Sequence, residues 1–245
     1  MRYGIFADIH SNLEALQNVL KQLKLLGMDR YCCLGDLVGY GPHPNDVVEK
    51  IRSLENVTVV AGNHDYGSVD KISVANFNQY AQEAIAFTKK QLKPENAAYL
   101  ASLPERFVGD DFMMVHGSPL DPLNEYLLTP EQYAANEGAF TKDICFIGHS
   151  HIVFNMSKKE TGPVEVHRLI EGESIRVEKG VRLVVNVGSV GQPRDGDPRA
   201  ACAVYDTDMR RITIYRFSYA IPAVQFDMKR NNLPHFLVER LAFGH

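Results

Sequence analysis

Met1-Arg2-Tyr3-Gly4-Ile5-Phe6-Ala7-Asp8-Ile9-His10-Ser11-Asn12 opens the chain. A short apolar run stops at an aspartate, and a histidine follows two positions later. The run is too short for a secretory segment and long enough for one buried strand. Polar, ligand-type residues directly after a buried strand place chemistry at a strand end. The same pattern recurs four more times along the chain.

Working outward, Ser11–Gly27 carries Leu13, Leu16, Leu20, Leu23 and Leu26 at helical spacing. Ser11 with Glu14 fits a capping box, and Gly27 a C-terminal stop. Tyr31–Leu34 reads as a second strand. A helix follows that starts near Pro44 and presents Val47, Val48, Ile51 and Leu54 on one face. Val57–Ala61 is a third strand. Asn76 to Leu103 is helical with a break at Pro94, Pro130–Asn136 is a short helix, and Phe112–Val115 and Ile144–Ile147 are further strands. Strand and helix alternating at this pitch predict a mainly parallel sheet with helices packed on it. After His151 the texture becomes strand after strand: Ile152–Met156, Val164–Leu169, Arg182–Val187, Ala200–Tyr205 and Ile212–Phe217. These predict an antiparallel portion or a second sheet. Ala220–Leu241 reads as two helices broken at Asn231–Pro234. With no repeat, linker or low-complexity tract, a single domain over 1–245 is expected.

Five clusters sit where apolar runs end: Asp8-Ile9-His10, Gly35-Asp36, Gly62-Asn63-His64-Asp65, His116-Gly117 and Gly148-His149-Ser150-His151. Singly, each is ordinary turn or cap chemistry. Jointly, five accidents all rich in metal-ligand types are hard to accept. The carboxyl ends of parallel strands share one edge, so residues far apart in sequence converge there. Imidazole, carboxylate and amide donors without thiolate suit Mn, Fe, Ni, Co or Zn in a catalytic rather than a structural zinc site. Two aspartates and several histidines exceed the needs of one ion. Two ions about 3.5–4 Å apart clamp the attacking and leaving oxygens of an in-line displacement, with a bridging hydroxide as nucleophile.

The bulk properties agree. The 245 residues are 45% hydrophobic with a net charge of −4, which supports a sizeable core and argues against a protein that grips long nucleic acid through phosphate contacts. No apolar window is long enough to span a membrane. Cys32, Cys33, Cys145 and Cys202 lie in strand-like stretches without a Cys-x-x-Cys pair, so core thiols in a reducing, cytoplasmic compartment are expected.

With all five blocks in order, the sequence resembles the calcineurin-like metallophosphoesterase superfamily, and the glycine-rich stretch Asn186–Ala200 resembles that of its bacterial and archaeal small phosphodiesterase and diadenosine-tetraphosphatase-like branch. The resemblance implies a four-layer αββα fold, an α/β sandwich of two packed mixed sheets flanked by helices. It implies that Asp8, His10 and His151 hold one metal, that Asn63, His116 and His149 hold the other, and that Asp36 bridges them. His64 would stand near the leaving group, with Asp65 as its orienting partner. Ser150 stands where threonine is frequent, at a position that is not a ligand. The implied activity is hydrolysis of a small phosphodiester or phosphomonoester, nucleotides included. The alternative is a non-catalytic metal-binding scaffold of the same fold.

Substrate clues are local. Asn12, at a helix start, either binds a phosphate oxygen or caps the helix. Asn186–Asp195 is a glycine-rich stretch whose amides either face an anion or form a tight turn, and Arg194 is a candidate phosphate contact. Tyr40 is placed as a wall of the cleft, and Tyr66–Asn78 as a lid over it. His43, His167 and His235 are given no site role. Association into a homo-oligomer is left open.

Overall fold

Alternation of side chains along each strand decides the architecture. In β1 (Arg2–Phe6) of the computed structural model, which describes residues 1–245, Ile5 faces one way and Phe6 the other. Both are fully buried, so the strand needs packing on each side. In the first half of the chain follow α1 (Leu13–Leu25), β2 (Arg30–Cys33), α2 (Pro44–Arg52), β3 (Val57–Val59), α3 (Asn63–Ser68), α4 (Gln79–Gln91), α5 (Pro94–Ser102), β4 (Arg106–Val108) and β5 (Met113–Val115). Then come α6 (Pro130–Asn136), β6 (Ile144–Ile147), β7 (Val153–Lys159), β8 (Glu165–Arg168), β9 (Ser174–Arg176) and β10 (Val181–Val187). The chain closes with β11 (Ala200–Asp206), β12 (Arg211–Phe217), α7 (Ile221–Arg230) and α8 (His235–Arg240).

Two six-stranded mixed sheets result, in the orders β3-β2-β1-β11-β12-β9 and β4-β5-β6-β10-β7-β8. Between them lies one core, where Ile5, Cys32 and Ala203 of the first sheet meet Met114, Phe146 and Val185 of the second. On the outer face of the first sheet, Phe6, Cys33 and Cys202 pack with Leu16, Val19 and Leu23 of α1 and Val47 and Ile51 of α2. On the outer face of the second, Val115, Cys145 and Met156 pack with Tyr133 of α6. This is the four-layer arrangement of helix, sheet, sheet and helix. A further small core joins α4, α7 and α8 around Tyr40.

Several expectations shift. The strands that carry the ligand clusters do not form one sheet: β1, β2 and β3 run parallel in the first, β5 and β6 parallel in the second. The strands after His151 are likewise divided, with β7, β8 and β10 in one sheet and β9, β11 and β12 in the other. Helix α1 is capped by Asn12, whose Oδ1 accepts the Ala15 N–H at 3.1 Å, and not by Ser11. Gly27 takes a left-handed φ of 75° just past the helix, as its stop role requires. The short elements α3, β4 and β9 were not expected. All four cysteines are free and buried, and burial pushes the Cys32 and Cys202 thiols up to about 12. No helix is long and apolar enough to cross a membrane.

Candidate metal centre

The carboxyl ends of β1, β2 and β3 in one sheet and of β5 and β6 in the other meet at a common edge of the sandwich. Each chain segment leaving a strand there must turn sharply. Asp8, His10, Asp36, His149 and His151 all adopt left-handed φ between 49° and 66°, a conformation that L-residues avoid without compensation. Seven of the eleven non-glycine residues with positive φ lie in or beside these clusters, counting Ser11 and Tyr40. Strain of this kind collects where geometry is imposed by function. Close packing adds to it: a Cβ on Gly62 would fall 2.0 Å from Asp36 Oδ1, so only glycine lets the backbone pass the carboxylate.

Two groups of side chains converge, Asp8 with His10 and His151, and Asp36 with His116 and His149, all fully or nearly fully buried. In each imidazole, one nitrogen donates to a backbone carbonyl. His10 Nδ1 donates to Val38 O (3.0 Å), His116 Nδ1 to Leu34 O (2.8 Å), His151 Nδ1 to Gln192 O (2.6 Å) and His149 Nε2 to Asn124 O (3.1 Å). Such bonds fix ring and tautomer and leave the other nitrogen as a bare acceptor. The inward nitrogens then face one another: His10 Nε2 and His151 Nε2 are 3.1 Å apart, as are His116 Nε2 and His149 Nδ1. Two imidazoles presenting lone pairs at that distance repel unless positive charge, from a proton or a cation, lies between them.

The carboxylates tell the same story. Asp8 Oδ1 is 3.3 Å from His151 Nε2 and 3.9 Å from His10 Nε2. Asp36 Oδ2 lies between the two groups, 3.6 Å from His10 Nε2 and 3.3 Å from His116 Nε2, while its Oδ1 accepts the His64 N–H at 2.9 Å. Burial is the largest influence on Asp36 and acts to raise its carboxyl, yet His116, His64 and His10 together hold it well below the usual range. Burial raises Asp8. It lowers His10 and His151 strongly and brings His149 down to about 3. His116 is the exception: burial acts to lower it, but Asp36 and Asp8 carry it up to about 9. A positive charge is thus favoured beside Asp36. Asn63 Oδ1, also buried, has no hydrogen-bond partner. Bare imidazole nitrogens, two carboxylates and an orphaned amide oxygen fit divalent cations of the Mn, Fe, Ni, Co or Zn type.

A cleft of about 530 Å³ opens over these groups, with Asp36, Asn63, His64, His149, His151 and Arg194 in its lining. His64 packs against His10 and Tyr40, with ring centroids 4.9 and 4.5 Å away. Its Nδ1 is buried without a partner against Gly39, which leaves Nε2 as the nitrogen available to a ligand. Burial lowers it to about 4, so the ring is neutral. Arg194 donates to Gln192 Oε1 at 3.0 Å and lies over the Tyr40 ring, which confirms Tyr40 as a wall of the cleft. The segment expected as a lid begins inside α3 and brings Ile72, Ser73 and Phe77 to the cleft.

One sequence-based assignment is corrected here, and two open alternatives are decided. Asp65 makes no hydrogen bond to His64. Its carboxylate accepts the N–H groups of Leu37 (2.8 Å), Val38 (3.2 Å) and Gly62 (2.9 Å), and so ties the start of α3 to the loop after Asp36. Asn12 has both ends of its amide engaged, the Oδ1 as the α1 cap and the Nδ2 on Gly191 O at 3.0 Å, and it does not line the cleft. Most amides of the glycine-rich stretch are spent inside the fold rather than offered to an anion. Val190 N donates to Ala7 O and Gly191 N to Asp8 O, both at 2.9 Å, and Arg194 N to His151 O at 3.1 Å. It braces the ligand loops instead. His43 pairs with Asp227, and His167 is exposed on β8.

Sequence reading missed Asn124 and Tyr126. The first accepts from His149 through its carbonyl, and the second stacks on the His149 ring at 4.0 Å. Neither sits in a motif or a periodic pattern. It also missed Asn186, whose Nδ2 donates to Gly148 O and to Ser150 Oγ (2.9 Å) and holds the His149–His151 turn.

Comparison with known proteins places this geometry. The calcineurin-like phosphoesterase superfamily domain matches residues 1–210. An uncharacterised protein of Methanocaldococcus jannaschii is 42% identical over 248 residues, covering 98% of this chain and 97% of that one. A metallophosphoesterase from Sphaerobacter thermophilus, 41% identical, superposes with a TM-score of 0.89 over 100% of this chain and 99% of its own. A hypothetical protein from Pyrococcus horikoshii shares the fold at 21% identity, with a TM-score of 0.80 over 100% and 98%.

Proposed function

Since the chain belongs to the calcineurin-like phosphoesterase superfamily, we propose that it is a phosphoesterase that hydrolyses a small phosphodiester or phosphomonoester with two divalent ions. Asp8, His10 and His151 would hold one ion, Asn63, His116 and His149 the other, and Asp36 both. The observation that carries this reading is the position of Asp36 Oδ2, within 3.6 Å of inward-facing nitrogens from both groups. When bound, the ions supply positive charge to phosphoryl oxygens and acidify water.

The protein's own residues do the rest. The carbonyls of Val38, Leu34, Gln192 and Asn124 hold the four imidazoles in the tautomer that offers a lone pair inward, so the site is organised before substrate arrives. His64 is neutral and faces the cleft. It serves as a hydrogen-bond donor to the phosphoryl group or to the departing oxygen, where charge grows as the ester bond breaks. Arg194 adds the one fixed cation of the cleft and steadies the phosphoryl oxygens.

The test is hydrolysis of p-nitrophenyl phosphate and bis-p-nitrophenyl phosphate by protein stripped of metal and then given Mn, Fe, Ni, Co, Zn or Mg. Turnover restored by metal supports the reading, and the preferred compound separates monoester from diester chemistry. Two ions bound per chain with no turnover on either would favour the scaffold.

A further inference from the structure

Side-chain alternation along β12 puts Ile212, Ile214 and residue 216 on one face of the strand. That face looks into the layer between the two sheets, where Ile212 and Ile214 join the apolar core. Residue 216 continues the row as an arginine, with 4% of its side chain exposed. A guanidinium buried there demands compensation, and the loop after β10 supplies it. Arg216 Nη2 donates to Asp195 Oδ2, and its Nη1 to the carbonyls of Asp197 and Arg199 at 3.2 and 3.4 Å. Asp195 is buried as well, with 8% of its side chain exposed. Neither residue lines the cleft.

The pair nevertheless reaches the metal centre in one step. Three bonds join residues 192–195 to residues 151–153. His151 Nδ1 donates to Gln192 O (2.6 Å), Arg194 N to His151 O (3.1 Å) and Val153 N to Asp195 Oδ2 (3.1 Å). The first two hold an imidazole of the metal centre and the residue whose guanidinium lines the cleft. The third runs through the carboxylate that Arg216 grips, so β12 anchors the far end of this ladder. Two roles compete for the pair, stabilising the sandwich or fixing the ladder. Buried ion pairs are a poor source of stability, since apolar residues of similar volume often replace them at no cost. A leucine or methionine at 216 would simply extend the row of Ile212 and Ile214. What an apolar pair cannot supply is an acceptor for the Val153 N–H at a set place.

We propose that Arg216 and Asp195 are a positioning pair. They hold residues 192–195 against residues 151–153, and so aim the His151 imidazole at the ion it would share with Asp8 and His10, and the Arg194 guanidinium at the cleft. This rests on the ligand assignment of the phosphoesterase reading and adds two residues that touch neither substrate nor ion.

The test is calorimetric titration of the metal-stripped full chain with Mn, alongside Tm. Arg216→Met combined with Asp195→Leu should melt close to the parent, as an apolar pair does. It should bind one of the two ions about 10- to 100-fold more weakly, the loss expected when an outer partner of a metal ligand is removed. Arg216→Lys, which keeps a cation against Asp195, should lie close to the parent in both measurements. A double variant that binds both ions as tightly as the parent overturns the proposal. A large fall in Tm with both ions weakened alike also overturns it, as the mark of a purely structural pair. Should the double variant not fold, Asp195→Asn carries the test, because Arg216 keeps Asp197 Oδ2 as a counter-charge 3.7 Å away. Weakened binding of one ion there supports the pair, and unchanged binding overturns it. No turnover is read, so the phosphoesterase reading fails separately. Two ions bound without hydrolysis leave the pair standing, whereas a parent that binds no ion removes the ligand assignment and the pair together.

Discussion

Replacing Gly62 by alanine tests the site through one methyl group. The residue sits at φ −100° and ψ 172°, ordinary extended backbone that alanine adopts freely. Were Gly62 merely part of a loop, Gly62→Ala would stabilise the protein by about 0.4–1 kcal/mol through the unfolded chain. The structure argues the opposite sign. The added Cβ would fall 2.0 Å from Asp36 Oδ1 and 2.4 Å from Asp36 N, and real Cβ atoms do not approach other atoms within 3.0 Å. The Asp36 carboxylate or the backbone beside it must therefore shift by about the difference, 3.0 − 2.0 Å, or 1.0 Å. Overpacking of this kind costs about 1–3 kcal/mol, which is roughly 2–12 °C in Tm for a chain of this size. A displacement of about 1 Å in a positioning group costs on the order of 100-fold in rate. The assay is metal content by mass spectrometry after dialysis, alongside kcat and Tm. Less than two ions per chain, a rate down about 100-fold and a lowered Tm are expected. A variant that keeps two ions, turns over within a factor of two of the parent and melts higher would refute the reasoning.

Other outcomes follow from single contacts. His64→Ala should keep the parent's metal content and lose about 100- to 10,000-fold in kcat; full turnover on an alkyl phosphate would remove His64 from the chemistry. Asn12→Ala deletes the α1 cap and the tie to Gly191, so Tm should fall by an amount matching about 1–3 kcal/mol while KM stays unchanged; a large rise in KM with unchanged Tm would restore a substrate role. The buried thiols predict alkaline weakness. Folding raises their pKa, with Cys32 and Cys202 near 12, so the contribution is complete below about pH 9 and is lost as pH rises toward 12. Each thiol ionised only when unfolded removes up to about 1.4 kcal/mol per pH unit in that window. Denaturant titrations at pH 8 and 10 should show the loss, and Cys202→Ala should make it shallower; an unchanged slope would contradict the assignment.

Much of the site was legible because its chemistry is written as short clusters at strand ends. Asp8, His10, Asp36, Asn63, His116, His149 and His151 announce themselves by type and place. The partition of their strands between two sheets was not legible. Periodicity tells which faces of β1 and β5 are buried and not which sheet each joins. Helix α3 escaped because Asn63–Ser68 has no apolar stripe: all six of its residues are buried, and the helix forms around the cap that Asp65 provides. Ser11 and Asn12 are both good caps side by side, and only the Gly191 carbonyl across the loop decides for Asn12. Asn124 and Tyr126 act through one carbonyl and one ring face, and neither leaves a mark in sequence.

The central claim is that Asp36 lies between two cations held by the two histidine groups. Anomalous diffraction from crystals grown with Mn addresses it directly. The account expects two peaks about 3.5–4 Å apart, one against Asp8, His10 and His151, the other against Asn63, His116 and His149, with Asp36 reaching both. A single peak, or two peaks that Asp36 does not join, would contradict it.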